Sequence, residues 1–176
     1  MIEIMSNLLN DLSDVTRSLS VGTVLFRQGD KVSSMFQIND GEVHLVRNSK
    51  AGRSLILQRA HAGSIVAEAS LFSIVYHCDA IVGSDTTLKS VSRAVLRRKF
   101  EADPAFARAW AVHLASEIRT ARQRAEILSL RTVAERLSAW IDTNGSLPPK
   151  GEWKHLAQEI GTSPEALYRE LAKQHF

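Results

Sequence analysis

The apolar residues of this 176-residue chain change their spacing once, near residue 92. That change constrains the fold more than any other feature. From Ser20 to Ser92 the chain is a series of short apolar runs: VGTVLF, SSMFQI, EVHLV, SLILQRA, SIVAEASLF, DAIVGS and TLKSVS. They are broken by QGD at 28–30, NDGE at 39–42 and NSKAGR at 48–53, with Gly63 and Gly83 as further corners. Asn39–Asp40–Gly41 and Lys50–Ala51–Gly52 supply residues that tolerate positive φ in tight hairpin turns. In GEVHLVRN, Val43, Leu45 and Arg47 alternate with His44, Val46 and Asn48, which marks a half-buried strand. Many short strands at spacings near ten residues predict an antiparallel sandwich or barrel.

Beyond Arg93 the period becomes helical. Asp103 is a good N-cap and Pro104 a good first helical residue. Apolar residues then recur at Phe106, Trp110, Leu114, Ile118, Ala121, Ala125 and Leu128, one stripe along a helix of roughly 25 residues. Such a helix is about 37 Å long, more than a small domain needs, and fits packing against a twin as well as against its own domain. A second helix, TVAERLSAWIDT, stops at Asn144–Gly145. The connector SLPPKG is too rich in Pro for a helix. Then Trp153, Leu156, Ala157 and Ile160 form one apolar face, and Gly161 ends that helix. Ser163 caps the last helix, Pro164 opens it, and Ala166, Leu167, Leu171 and Ala172 make its inner face. Helix, glycine turn and capped helix form a helix-turn-helix unit.

Charge follows the same division. Residues 1–92 carry eight Lys/Arg against nine Asp/Glu, and residues 93–176 carry fourteen against ten. Most of the excess lies between Arg93 and Arg136, which points either to a polyanionic partner or to a solvated helix face. No stretch reaches the roughly 18 apolar residues of a membrane span. The start, MIEIMSNLLNDLSD, has no basic region like that of a signal peptide, and the single cysteine, Cys78, cannot form an internal disulfide. A reducing cytoplasm is the expected location.

The stretches VGTVLFRQGDKVSSMFQINDGEVHLV, GSIVAEASLF, the long helix and LAQEIGTSPEALYRELAK together resemble the Crp/Fnr family of bacterial transcription regulators over nearly the whole length. Gly22, Phe26, Gly29, Asp30, Gly41 and Val43 stand where that family's strands and turns want them. The resemblance implies an α+β chain. Residues 1–100 would be an eight-stranded double-stranded β-helix (jelly-roll) sensor of the cyclic-nucleotide-binding type. Residues 101–129 would be a dimerisation helix using the 106–128 stripe, and residues 130–176 a DNA-binding helix-turn-helix. The partners implied are double-stranded promoter DNA, a second copy of the chain and RNA polymerase. On this sequence the DNA-binding residues fall at Thr162, Ser163, Pro164, Glu165, Tyr168, Arg169 and Lys173, with Lys154 as a further phosphate contact. Glu165 suits a cytosine amino group and Arg169 a guanine edge; alternatively Glu165 stabilises its own helix N-terminus and Tyr168 packs between helices. Pro164 stands where the family usually has an arginine, and the chain ends at Phe176 where the family commonly adds a β-wing. The helix-turn-helix is therefore expected to lack a wing.

For the sensor, the resemblance places an effector site at Glu68, His77 and Cys78. Family members that bind cyclic nucleotides use a glutamate for the ribose and an Arg-Ser or Arg-Thr pair for the phosphate, a natural task for an arginine fork. Glu68 keeps the glutamate, but His77–Cys78 replace the pair and Ala67 replaces a glycine; the helix positions that meet adenine in some relatives fall near Ala121 and Arg122. Cyclic AMP in the usual arrangement is therefore not expected. One cysteine is too few for an iron–sulfur cluster. No cofactor or metal is expected, with haem at His77 or Cys78 as the one alternative. By alternation Cys78 faces the roll as a small apolar residue while His77 and Asp79 face away. His44, His61 and His113 are scattered singly and read as surface or capping residues. A cupin enzyme would need an H-x-H metal pair, which is missing. The rival to a DNA-binding regulator is a dimeric interaction module with the same architecture.

Overall fold

A computed structural model describes residues 8, 9, 12, 15–48 and 54–174. Among them lie eight strands: β1 (Thr16–Leu19), β2 (Val24–Phe26), β3 (Ser34–Asp40), β4 (Glu42–Asn48), β5 (Ser54–His61), β6 (Ile65–Val66), β7 (Asp79–Val82) and β8 (Thr86–Ser92). Five α-helices follow: α1 (Arg93–Ala102), α2 (Pro104–Ser129), α3 (Val133–Asn144), α4 (Trp153–Glu159) and α5 (Pro164–Gln174). Every strand pair is antiparallel, in two four-stranded sheets ordered β1-β8-β3-β6 and β2-β7-β4-β5. This is an antiparallel sandwich, one of the two forms the short, evenly spaced runs predict, and it is jelly-roll-like as the resemblance implies. The hairpin turn at Gly41 is present with φ of 89°, and a side chain there would collide with Asp85 and Thr86. The turn expected at 50–52 lies outside the described residues.

Two elements differ from the sequence reading. The run SIVAEASLF is a strand only at Ile65–Val66, because Ala67 turns the chain in the left-handed region at φ 70° and a 3-10 turn, Glu68–Ser70, follows. Strand β1 and helix α1 were not legible as elements. β1 is almost wholly exposed and is held by backbone pairing to β8, and α1 buries only Leu96 completely. Its N-terminus is capped by the Ser92 hydroxyl, which accepts from the Val95 amide at 3.3 Å.

The chain divides into two compact units, Met1–Leu114 and Ala115–Phe176, with the boundary inside α2. In the first, Phe26 and Tyr76 stack 3.8 Å apart beside Phe36, and Met35, Ile38, Val43, Leu88 and, from α1, Leu96 belong to the same core. Phe106 and Trp110 from the start of α2 close this core. Each fully buried large apolar side chain stabilises the fold by about 1.5–3 kcal/mol. The start of α2 forms as predicted, with Asp103 Oδ1 accepting from the amides of Ala105 (2.9 Å) and Phe106 (3.1 Å).

In the second unit, Ile127, Leu137, Leu156, Ala157, Ile160, Leu167 and Leu171 form a separate core. Thr132 and Glu135 make a reciprocal capping box for α3, which ends at Gly145. Gly161, at φ 65°, ends α4: its amide donates to Gln158 O and that of Thr162 to Ala157 O, the paired bonds of a Schellman motif.

Tyr76 ties the first unit together through its hydroxyl, which donates to Ser34 O (2.7 Å) and accepts from the amides of Ser33 (3.2 Å) and Ser34 (3.0 Å). Tyr76→Phe removes those bonds while keeping the stack, so it should cost about 1–3 kcal/mol. Urea denaturation of the variant against wild type measures this, with an unchanged far-ultraviolet spectrum.

Candidate effector site and nucleic-acid interface

The segment from Ala67 to Asp79 brings together the predicted effector residues. Glu68 is buried at the start of the 3-10 turn. The left-handed backbone of Ala67 costs about 1–2 kcal/mol in a residue with a side chain, so the conformation a glycine would take freely is kept without the glycine. Cys78 is buried in the core between the sheets and His77 is exposed, so the two neighbours face opposite ways, as the alternation predicts. Asp79 also keeps to it: Cys78, Ala80 and Val82 lie in the core and Asp79 does not, though other residues cover it on its own face. Its carboxylate is buried, accepting from the Gln28 amide at 2.7 Å and from Asn48 Nδ2 at 3.2 Å, which pins the start of β7.

Chemically, the pair is quiet. Burial pushes the Cys78 thiol up to about 11; Arg47 works against the shift, while Glu68 and Asp79 add to it. A thiol so placed is not the thiolate that oxidation and metal binding need. Partial burial, then the charge of Arg47, hold His77 below its ordinary value, which favours the neutral ring. Its Nδ1 stands 3.4 Å from the Ser70 hydroxyl. Arg47, at the end of β4, donates from Nη2 to the His77 carbonyl at 3.1 Å. This arginine was missed in sequence, where no arginine occurs between Arg59 and Arg93. The β4–β7 register, Val46 against Asp79, is what carries it there.

Of the other histidines, His61 is exposed as expected, whereas His113 and His44 are not. His113 is buried on α2 beside Trp110, with ring centroids 6.3 Å apart. His44 and Arg59 lie opposite each other on β4 and β5, and both contact the buried carboxylate of Glu42, Arg59 at 2.5 Å. Burial alone would raise the Glu42 carboxyl, but the bonds from Arg59 and His44 outweigh it and hold it below its ordinary value. Among the described residues, no three His, Cys, Asp or Glu side chains converge as a metal site.

At the other end of the chain, α5 presents two faces. Leu167 and Leu171 are buried; Glu165, Tyr168, Arg169 and Lys173 are exposed, and so is Ala172, which the sequence placed on the inner face. Ser163 is exposed and caps the helix, its hydroxyl accepting from the Ala166 amide at 3.2 Å. Thr162 and Pro164 are half-buried, and Lys154 is exposed on α4. The Glu165 carboxylate bonds to its own amide and to the Ser163 hydroxyl, which holds its pKa below the usual carboxylate value. The Tyr168 ring is 41% exposed and lies 5.5 Å from Trp153. Both readings of these two residues are thus in play at once: each touches its own unit and each still reaches the surface. Lys173 pairs with Glu170 at 3.2 Å, and Arg169 is exposed.

Residues 16–103 match the family model for the cyclic nucleotide-binding domain, half of the chain. The chain belongs to that family. Solved structures of similar fold include the c-di-GMP responsive global regulator CLP of Xanthomonas campestris, at 22% identity and TM-score 0.67, covering 98% of this chain and 90% of that one. FixK2 of Bradyrhizobium japonicum has 20% identity and TM-score 0.74, with 92% and 84% covered. A transcriptional regulator of the CRP family from Thermus thermophilus has 14% identity and TM-score 0.64, with 90% and 84% covered. No curated protein matches the chain in sequence.

For a cyclic nucleotide-binding domain protein, the expected dimer stripe needs correction. Phe106 and Trp110 are buried in the first unit's own core, and Leu114 packs against it. Large apolar side chains at that end of α2 satisfy the sandwich first. What remains on the surface is Ile118, half exposed, with Ala121, Ala125 and Leu128. No helix among the described residues is long and apolar enough to cross a membrane.

The raised thiol gives a sign that can be checked. Because folding holds Cys78 protonated, its contribution to stability is complete below its ordinary value of 9.0 and is lost as pH rises toward about 11. Thiol-reactive probes should label the native protein slowly at pH 8 and at normal rate once urea unfolds it.

Proposed function

We propose that this protein is a homodimeric, DNA-binding transcription regulator of the Crp/Fnr type. The observation that carries the reading is the outward face of α5. It bears Glu165, Tyr168, Arg169 and Lys173 on a capped helix held beside a tight glycine turn, in a chain that also carries the family's sensor domain. The likeness to the Xanthomonas, Bradyrhizobium and Thermus proteins over nine-tenths or more of this chain supports it. The Xanthomonas and Thermus proteins are described as regulators, and the present chain is read in the same way.

Arg169 and Glu165 are the base readers in this reading, and Thr162, Ser163, Lys154 and Lys173 hold phosphates. Dimerisation uses the exposed part of α2, Ile118, Ala121, Ala125 and Leu128, and sets two α5 helices about one DNA turn apart. RNA polymerase is the natural further partner of such a protein.

The effector is not cyclic AMP bound in the usual way. The arginine that clamps a cyclic phosphate from the cassette is replaced by His77, whose neutral ring is favoured, and Cys78 faces the core. Polar groups around the segment include Arg47, Glu68, Ser70, His77 and Arg93.

Selection from random duplexes at low salt should enrich one sequence. Arg169→Ala should lose about 1–3 kcal/mol of discrimination at a single base position while the dimer stays intact. No enrichment with the wild-type protein identifies an interaction module instead. Calorimetric titration with cyclic AMP should release no heat of binding at micromolar concentrations; a saturable signal overturns the cassette argument.

A further inference from the structure

Arg136 was grouped with the basic residues of the second half, but its guanidinium is engaged in three hydrogen bonds. Nε donates to Leu130 O at 2.9 Å, and Nη1 donates to Ile160 O at 3.2 Å and Gly161 O at 3.1 Å. Leu130 directly follows α2, and its amide donates to Ile127 O, continuing the last turn. Ile160 and Gly161 are the C-terminal cap of α4 and the turn leading to α5. One half-buried side chain on α3 therefore joins the end of α2 to the turn between α4 and α5.

A second contact parallels it. A Cβ on Gly161 would collide with Leu128 Cδ2, so a side chain from the last turn of α2 rests directly on this glycine. The carbonyls that Arg136 holds are among those a helix terminus leaves without partners, at the negative end of the α4 dipole. Ser163, the cap of α5, is two residues beyond the second of them. Only a planar fork with several fixed donors can satisfy three carbonyls in two directions; a lysine ammonium has neither the spread nor the geometry.

We propose that Arg136 is a positioning residue: it fixes the peptide planes before α5 and so sets the outward face of that helix against the end of α2. The proposal rests on the reading of α5 as a DNA-reading helix and adds its control. A change at the end of α2, at Leu128 or at Leu130 just beyond it, is passed to α5 through this side chain and through Gly161. Arg136 does not bind phosphate in this scheme, because its donors are already engaged with backbone carbonyls.

The test uses the full chain with Arg136→Gln and Arg136→Lys, read in two ways. On the enriched duplex, both variants should lose specific affinity by at least about tenfold, the scale of one lost base contact. Their slope of log K against log salt should match wild type, because no phosphate contact is removed. A slope shallower by about 0.9 would make Arg136 a phosphate contact and overturn the proposal. Unchanged specific affinity would overturn it as well.

The second reading needs no DNA. Amide hydrogen exchange of free protein should quicken at residues 160–163 in both variants, while the amides of Leu137 and Leu167 stay protected. If wild type enriches no duplex, the DNA reading fails, and exchange alone decides whether Arg136 holds the turn: unchanged exchange at 160–163 overturns it. If Arg136→Gln loses protection throughout the second unit, Arg136→Lys, which keeps the charge and the aliphatic stem, carries both comparisons.

Discussion

Helix α2 serves two cores, and most of the molecule depends on how its side chains are divided between them. Phe106 and Trp110 are buried in the sandwich core, and Ile127, near the other end, is buried among α3, α4 and α5. The residues between are left with exposed Ile118, Ala121 and Ala125. A 26-residue helix is not stabilised by propensity alone. Burial at each end is what holds it, and the same burial decides which residues remain for a partner.

The pattern of the chain was read correctly where periodicity is strong. An antiparallel sandwich or barrel follows from the short apolar runs, and the ends of α2, α3 and α4 follow from Asp103, Gly145 and Gly161. Periodicity says that a stripe is apolar but not which neighbour covers it, and so the 106–128 stripe was read as a single seam. It also cannot see elements held by backbone pairing alone, such as β1, or by one anchor, such as α1 with Leu96.

The candidate sites show the same limit at closer range. Local features were legible: Cys78 facing the core, Ser163 as a cap, Leu167 and Leu171 inward. Residues that arrive through register were not. Arg47 meets His77 because β4 pairs with β7, and Arg59 meets Glu42 because β5 pairs with β4. Each arginine is an ordinary charged residue in its own strand, and only the pairing makes it part of a site. His113 was misread for the related reason that a polar residue inside an apolar stripe gives no sign of whether it is covered.

These displaced roles explain why counting charges along the chain says little about where a polyanion would lie. Of the basic residues between Arg93 and Arg136, Arg93 donates to Leu71 O, Lys99 pairs with Asp103, and Arg136 holds three carbonyls. Arginine at such places works as a backbone cap: its donors fill carbonyls that a helix end or a loop leaves open, and its charge suits the negative end of a helix. The exposed positive groups of α4 and α5, Lys154, Arg169 and Lys173, are fewer, but they project from short elements whose ends are fixed by Gly161, Ser163 and Arg136. In a face of this kind geometry matters more than net charge. A chain nearly neutral over its last 27 residues can still discriminate among duplexes if the few groups it offers are held in register by the turn behind them.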